Sequence, residues 1–335
     1  MSYYDNFKRL DDLTIAFTGS TSNNAKIYGN GLNQVEIIVG VKIIDENDKP
    51  VTMTQDDLKN SIFLCDYTTG DGISNNGSSS TWNYSYNEND YTTAVNYSNA
   101  SSFFTPSDDG SVGYNYLKLY IYSKSPSDGK VFAAGINIPT IGTFNTTKTG
   151  TNTPNGPNGT GSKFVKPANV TVSALTPYSY QTGDFSFNLD DQSLSNSSDQ
   201  GAILYNVVWR NFYLDIQKEG YRIVKIESNN SSGYRFTSDY SGWWVCQGFD
   251  FSAEYGKGEM KKSVSIVFGK YTFGVSGNIN RQKGICFSAI HATCTVPTGY
   301  SSKGTTSVTI YDQYGNKSKP IIAQDGDNLK IQGMG

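Results

Sequence analysis

From Val35 to Ile43 every second residue is apolar: Val35, Ile37, Val39, Val41 and Ile43 fall on one side. Glu36, Gly40 and Lys42 fall on the other, with Ile38 and the following Ile44 as exceptions. Successive side chains of a strand point to opposite faces, so this pattern makes a half-buried ribbon and not a helix. The same period governs YNYLKLYIYSK, where Leu117, Leu119 and Ile121 share a face opposite Tyr116, Lys118, Tyr120 and Tyr122. Residues 131–138 and 168–175 read as further strands. In the C-terminal half so do DFSFNLD, ILYNVVWRNFYLDI, YRIVKIES, GWWVCQGFDF, KSVSIVFGKYTFGV, ICFSAIHATCTV and TSVTIYD. Strands this closely spaced, with Gly, Asn and Ser turns between them, predict an all-β chain built as a sandwich or barrel. The one helical signal is short: Thr54 and Asp57 have capping-box spacing ahead of LKN.

Apolar residues make up 36% of the chain and charged residues 17%, against averages of roughly 45–50% and a quarter. Disordered chains show that deficit together with a loss of aromatics. Here aromatics reach 13%, enough to build a core. Segment GTFNTTKTGTNTPNGPNGTGS is rich in Gly, Asn, Thr and Pro and shows no alternation. Some twenty structureless residues are unusual inside one compact domain. The expected organisation is therefore two β-sandwich domains, 1–141 and 164–335, joined by a linker or long loop at 142–163.

The residues argue against a catalytic site, so no enzyme activity and no cofactor are expected. The single histidine, His291, lies mid-strand, and no serine sits in a G-x-S-x-G elbow. Cys65, Cys246, Cys286 and Cys294 show no C-x-x-C spacing, so no metal site is expected from them. Cys286 and Cys294 would be roughly 26 Å apart along one strand, too far for a disulfide. The acidic groups Asp45 to Asp48, Asp108 with Asp109, Asp190 with Asp191 and Asp325 with Asp327 lie in turn-like stretches. They serve turn formation, with calcium binding the other reading. A net charge of −3 with mixed signs gives no footprint for nucleic acid. The N-terminal MSYYDNFKRLDDLTIAF lacks a basic region followed by an apolar one. Synthesis in the cytoplasm is expected, with release by lysis or a specialised export route.

Aromatic placement is the candidate site. Tyr114, Tyr116, Tyr120 and Tyr122, with Lys118 among them, form a ladder of amphipathic rings on one strand face. Such rings bring large contact area at small entropy loss. Trp82, Tyr84 and Tyr86 form a second group with the same period. The ladder either meets a protein or glycan partner or lies under a second sheet or under the loop holding Trp82.

The stretch NGLNQVEIIVGVKIIDENDKPV, through Asn30, Gly31, Val35, Ile37, Val39, Val41, Asp45, Lys49, Pro50 and Val51, resembles the opening of a bacterial Ig-like domain of the invasin and intimin type. TTSVTIYDQYGNKSKP is similar to a closing strand and turn of such modules. The resemblance implies a sandwich fold and a binding role, with no catalytic residues. The residues after Pro50 depart from that pattern. The expected function is that of a structural or interaction protein, self-assembling or part of a larger extracellular or phage-like assembly, with itself or another protein as partner. A β-pore-forming toxin is one alternative, its hairpin drawn from ANVTVSAL and DFSFNLD; only that reading involves a membrane. A glycan-binding adhesin or lectin is the other.

Overall fold

The computed structural model describes residues 2–20, 22–77, 80–92, 94–95, 113–193, 204–227, 243–252, 259–268, 271–280, 284–294, 305–325 and 328–335. The chain is all-β and forms two compact units, Met1–Tyr178 and Ser179–Gly335. No helix among the described residues is long and apolar enough to cross a membrane.

The first unit contains β1 (Phe7–Phe17), β2 (Asn24–Tyr28), β3 (Gln34–Asp45), α1 (Gln55–Ser61), β4 (Ile62–Asp66), β5 (Ser74–Asn75) and β6 (Trp82–Ser85). It continues with β7 (Asn115–Ser123), β8 (Ser127–Ile138), β9 (Gly142–Asn145) and β10 (Val170–Leu175). One sheet runs β1-β3-β7-β6-β5; the other runs β2-β10-β8-β4, with β9 added to β8. The alternation seen in the sequence fixes which side of each strand is buried. Val35, Ile37, Val39, Val41 and Ile43 pack with Leu117, Leu119 and Ile121 of the first sheet and with Leu64, Phe132, Ile136, Val170 and Val172 of the second, in one apolar cluster. Rings join the two sheets: Phe7 lies 6.2 Å from Phe144, and Trp82 meets Phe132 edge-on at 5.4 Å.

Turn chemistry sets the ends of β3. Asn30 Oδ1 accepts from the backbone N–H groups of Leu32 and Asn33, and Gly31 takes a positive φ of 78°. After β3, Asp45 Oδ1 accepts from Asn47 and Lys49, closing an Asx turn. Thr54 and Asp57 form the expected capping box on α1. Asp66 closes β4 by accepting from the N–H groups of Thr68 and Thr69 and from the Lys130 ammonium. Burial pushes the Asp66 pKa up, but Lys130 and the two N–H groups outweigh it, so the carboxyl titrates below its ordinary value. The folded state therefore binds this proton more weakly than the unfolded chain does. The resulting stability is complete above the unfolded pKa, about 3.9, and is lost as pH falls through the lower folded value. Asp66→Asn is expected to flatten the fall in urea midpoint across that acidic window. An unchanged slope would remove Asp66 as a contributor.

Residues 142–163 belong to the first unit; the division falls after Tyr178, and β10, assigned by sequence to the C-terminal domain, pairs with β2 and β8. The segment is held because its threonine and asparagine side chains satisfy backbone groups. Thr151 and Thr153 hydroxyls donate to the Thr143 carbonyl at 2.8 and 2.6 Å. Asn155 bonds both backbone groups of Leu10, accepting from its N–H and donating to its C=O, each at 2.8 Å. Lys166 donates to the Asp11 carbonyl at 2.6 Å. Asn155 and Lys166 occupy the side of β1 that bears no neighbouring strand among the described residues.

The second unit contains β11 (Phe185–Ser193), β12 (Leu204–Ile216), β13 (Ile223–Glu227), β14 (Trp243–Ser252), β15 (Glu259–Phe268) and β16 (Tyr271–Asn280). It ends with β17 (Gly284–Cys294), β18 (Thr305–Ser307), β19 (Thr309–Asp312), β20 (Lys317–Ser318), β21 (Pro320–Asp325) and β22 (Asn328–Met334). Sheets run β11-β12-β17-β14, β13-β19-β20, β18-β21-β22 and β15-β16. KSVSIVFGKYTFGV, read from the sequence as one strand, is divided between β15 and β16, which pair with each other; Gly269 and Lys270 lie outside the described residues. ANVTVSAL and DFSFNLD fall in different units: β10 pairs with β2 and β8 in the first, and β11 pairs with β12 in the second.

Asp312 anchors the turn between β19 and β20. Its carboxylate accepts from the N–H groups of Tyr314 and Asn316, the Asn316 amide and the Tyr180 hydroxyl, and burial pushes its pKa up.

Candidate interaction face

The register of β7 against β3 sets Tyr116 opposite Gly40, Lys118 opposite Ile38, Tyr120 opposite Glu36 and Tyr122 opposite Gln34. These positions form the face of the first sheet that points away from the apolar cluster. At one end Tyr114 and Tyr116 stack, with centroids 5.8 Å apart and planes 13° from parallel. Gly40 makes room for them: a Cβ there would come within 2.8 Å of Thr14 Oγ1 and 3.0 Å of the Tyr116 ring. The Tyr114 hydroxyl donates to the Asp12 carboxylate, and the Lys42 ammonium lies 5.8 Å from the Tyr114 ring centroid. Burial, then the Asp12 bond and charge, push the Tyr114 pKa up, so the ring stays a neutral donor.

Ion pairs continue from the stacked rings. Lys42 reaches Asp11 at 3.4 Å, Arg9 bridges Asp11 and Asp48 at 3.3 and 3.2 Å, and Lys8 meets Asp48 at 2.7 Å. Lys166 reaches Asp12 at 3.4 Å. Each exposed pair contributes little alone; as a chain they hold long side chains in register along the strands.

At the other end the face is covered. Tyr120 and Tyr122 are only 6% and 9% exposed. The segment after β6 crosses here: Asn89 N–H and the Thr92 hydroxyl donate to Gln34 Oε1 at 3.1 and 3.0 Å, and Gln34 N–H donates to the Tyr91 carbonyl. Asn33, wholly buried, accepts from Tyr28 N–H at 2.8 Å and donates to the Tyr91 carbonyl at 2.9 Å. Burial, with the charges of Glu36 and Glu88, pushes the Tyr120 hydroxyl up to about 12. Lys118 stays half-exposed and pairs with Glu36 at 3.1 Å. Beside this cover lies a recess of about 290 Å³ lined by Thr18, Gln34, Val35, Glu36, Glu88, Thr92 and Ala94. The Thr18 hydroxyl is buried there without a hydrogen-bond partner among the described residues.

The candidate residues thus divide. Tyr114, Tyr116 and Lys118 reach the surface; Tyr120 and Tyr122 share their face but lie buried. Trp82 and Tyr84 belong to the opposite side, since β6 pairs Trp82 with Ser123 and Tyr84 with Ile121, and both sit in the apolar cluster. Tyr86 donates to the Lys59 carbonyl at 2.8 Å at the end of α1 and packs edge-on against Tyr84. These three neither roof the ladder nor extend it. Asp12, Lys42, Glu36 and Gln34 complete the face, and only their place on the polar phase of β1 and β3 marks them in the sequence. Glu88 and Thr92 carry no such mark, because the segment is positioned by long-range bonds.

Cys65 and Cys286 are buried free thiols, and burial, with the Asp66 charge, pushes Cys65 up to about 12. His291 lies mid-strand in β17, with Val208 and Trp244 as its partners on either side. Asp325 pairs with Lys330 at 3.1 Å; Asp108, Asp109 and Asp327 lie outside the described residues, as do the side chains of Asp190 and Asp191. No protein-family model matches the chain, and a search of curated proteins finds no match to it.

Proposed function

We infer that the chain is a non-catalytic interaction protein that works through the surfaces of Ig-like β-sandwich domains, assembling with itself or with another protein in a larger structure. The observation that carries this reading is the stacked Tyr114–Tyr116 pair, fixed over Gly40 and flanked by Lys42, Asp12 and Lys118. Pre-set rings with polar tips lose little freedom on binding and tolerate interfacial water. The two sheets that share one apolar cluster in the first unit support a sandwich. The Asn-Gly turn and the Asp45 hairpin support the Ig-like form.

Sedimentation of the pure protein over a range of concentrations tests the reading. Concentration-dependent assembly that is weakened by Tyr116→Ala and Lys118→Glu is expected. A monomer at every concentration, with no protein partner captured in that state, would sink it.

Glycan binding is the second reading, favoured by the recess beside Tyr120. Its volume of about 290 Å³ is at the small end of ligand sites, roughly 300–1,000 Å³. Its lining of two carboxylates, an amide and two hydroxyls offers partners for sugar hydroxyls. Unchanged glycan-array binding after Glu88→Ala and Thr92→Ala would remove this reading.

A further inference from the structure

In the second unit β15 and β16 pair without a bulge from Glu259 opposite Asn280 to Phe268 opposite Tyr271. Among the described residues these two strands bond to each other and to no other strand. Cross-strand partners share a face, and successive pairs alternate. One face therefore carries Val264, Ile266 and Phe268 opposite Val275, Phe273 and Tyr271. The other carries Ser263 opposite Ser276, Ser265 opposite Gly274 and Val267 opposite Thr272.

The arms are ten residues each, and a tilted strand crosses the hydrocarbon of a bilayer in about 9–11. Alternation of a mainly apolar face with a hydroxyl-bearing one is what a membrane barrel needs, lipid on one side and water on the other. The aromatic residues Phe268, Tyr271 and Phe273 gather at the turn end, where barrels place an interfacial girdle. Lys262 belongs to the apolar face but stands three residues from the base. That is ~10 Å along the strand, within reach of the headgroups for its long stem.

We propose that β15–β16 is a membrane-entering hairpin. Several copies of the chain each contribute one, and adjoining hairpins close a barrel with the Val264 face against lipid and the Ser265 face around water. Several copies are required because a lone two-stranded ribbon would leave unpaired backbone groups in hydrocarbon. The proposal rests on the second unit and is independent of the tyrosine face of the first.

The test uses the full chain and dye-loaded vesicles of phosphatidylcholine and phosphatidylserine in equal parts, at neutral and mildly acidic pH. The wild-type chain releases dye. Val264→Arg lowers that rate by about thirtyfold or more, as an arginine facing lipid near the mid-plane should; Ser265→Arg, on the water side, leaves it near wild type. Hydrogen exchange on the wild-type chain supplies a readout that needs no variant: amides of 259–280 slow when vesicles are present. Absence of wild-type release at both pH values overturns the proposal. So do equal losses from the two arginines, or no added protection of 259–280 on vesicles.

Discussion

Phe132→Ala is expected to lower the unfolding free energy of the first unit by about 3–5 kcal/mol. Phe132 lies on β8, is fully buried, and meets Trp82 of the opposite sheet edge-on at 5.4 Å. Truncation removes a ring from the plane where the two sheets meet. Strand backbones on both sides are held by their ladders, so the space cannot close by a small shift. A cavity term then adds to the lost transfer energy. Against a domain stability of about 5–15 kcal/mol, this loss leaves the unit marginal. Urea unfolding followed by circular dichroism measures it, and Trp82, the one tryptophan in the first unit, reports locally. A loss under about 1 kcal/mol, the level of a surface change, would mean that the ring does not join the sheets.

Asn33→Ala is the polar counterpart. The Asn33 side chain is wholly buried and serves Tyr28 N–H and the Tyr91 carbonyl. Alanine removes both services at once and supplies neither a donor nor an acceptor. Tyr28 N–H loses its buried acceptor at a cost of about 1–3 kcal/mol, while the Tyr91 carbonyl keeps the Gln34 N–H, so the expected loss is about 1–3 kcal/mol. The bond to Tyr91 also helps hold the segment that covers Tyr120, so the variant is expected to expose that hydroxyl. Urea unfolding gives the first quantity, and tyrosine titration in the native state gives the second, as a pKa of Tyr120 falling from about 12 toward the ordinary value of about 10. A Tyr120 that titrates unchanged would show that the cover does not depend on Asn33.

The buried side of the first sheet was legible because it depends on parity alone: Val35 through Ile43 and Leu117 through Ile121 needed no partner to declare their face. Parity also placed Trp82, Tyr84 and Tyr86 together. It could not say which side of the sheet they occupy, since that follows from the pairing of β6 with β7. The burial of Tyr120 and Tyr122 was hidden for a related reason, because their cover is tied down through Gln34 and Asn33, more than fifty residues away in sequence. Segment 142–163 lacks alternation and so reads as a linker or long loop. Its order comes from side chains that bond backbone, which leaves no periodic trace. The division of β15 from β16 did leave a trace. Apolar positions are even at Val264, Ile266 and Phe268 and odd at Tyr271, Phe273 and Val275. A single straight strand cannot hold that change of phase, and the two halves pair with each other as separate strands.

The bidentate hold of Asn155 on Leu10 restricts how another molecule can approach that flank. With the N–H and C=O of Leu10 already engaged, and Lys166 on the next carbonyl, a foreign strand cannot zip onto β1 by main-chain bonding without first evicting these groups. Fibrous stacking through this margin is thereby suppressed, and recognition there is confined to side-chain chemistry. A protease cut on either side of Asn155 would free the clasp and turn a shielded rim into an adhesive one.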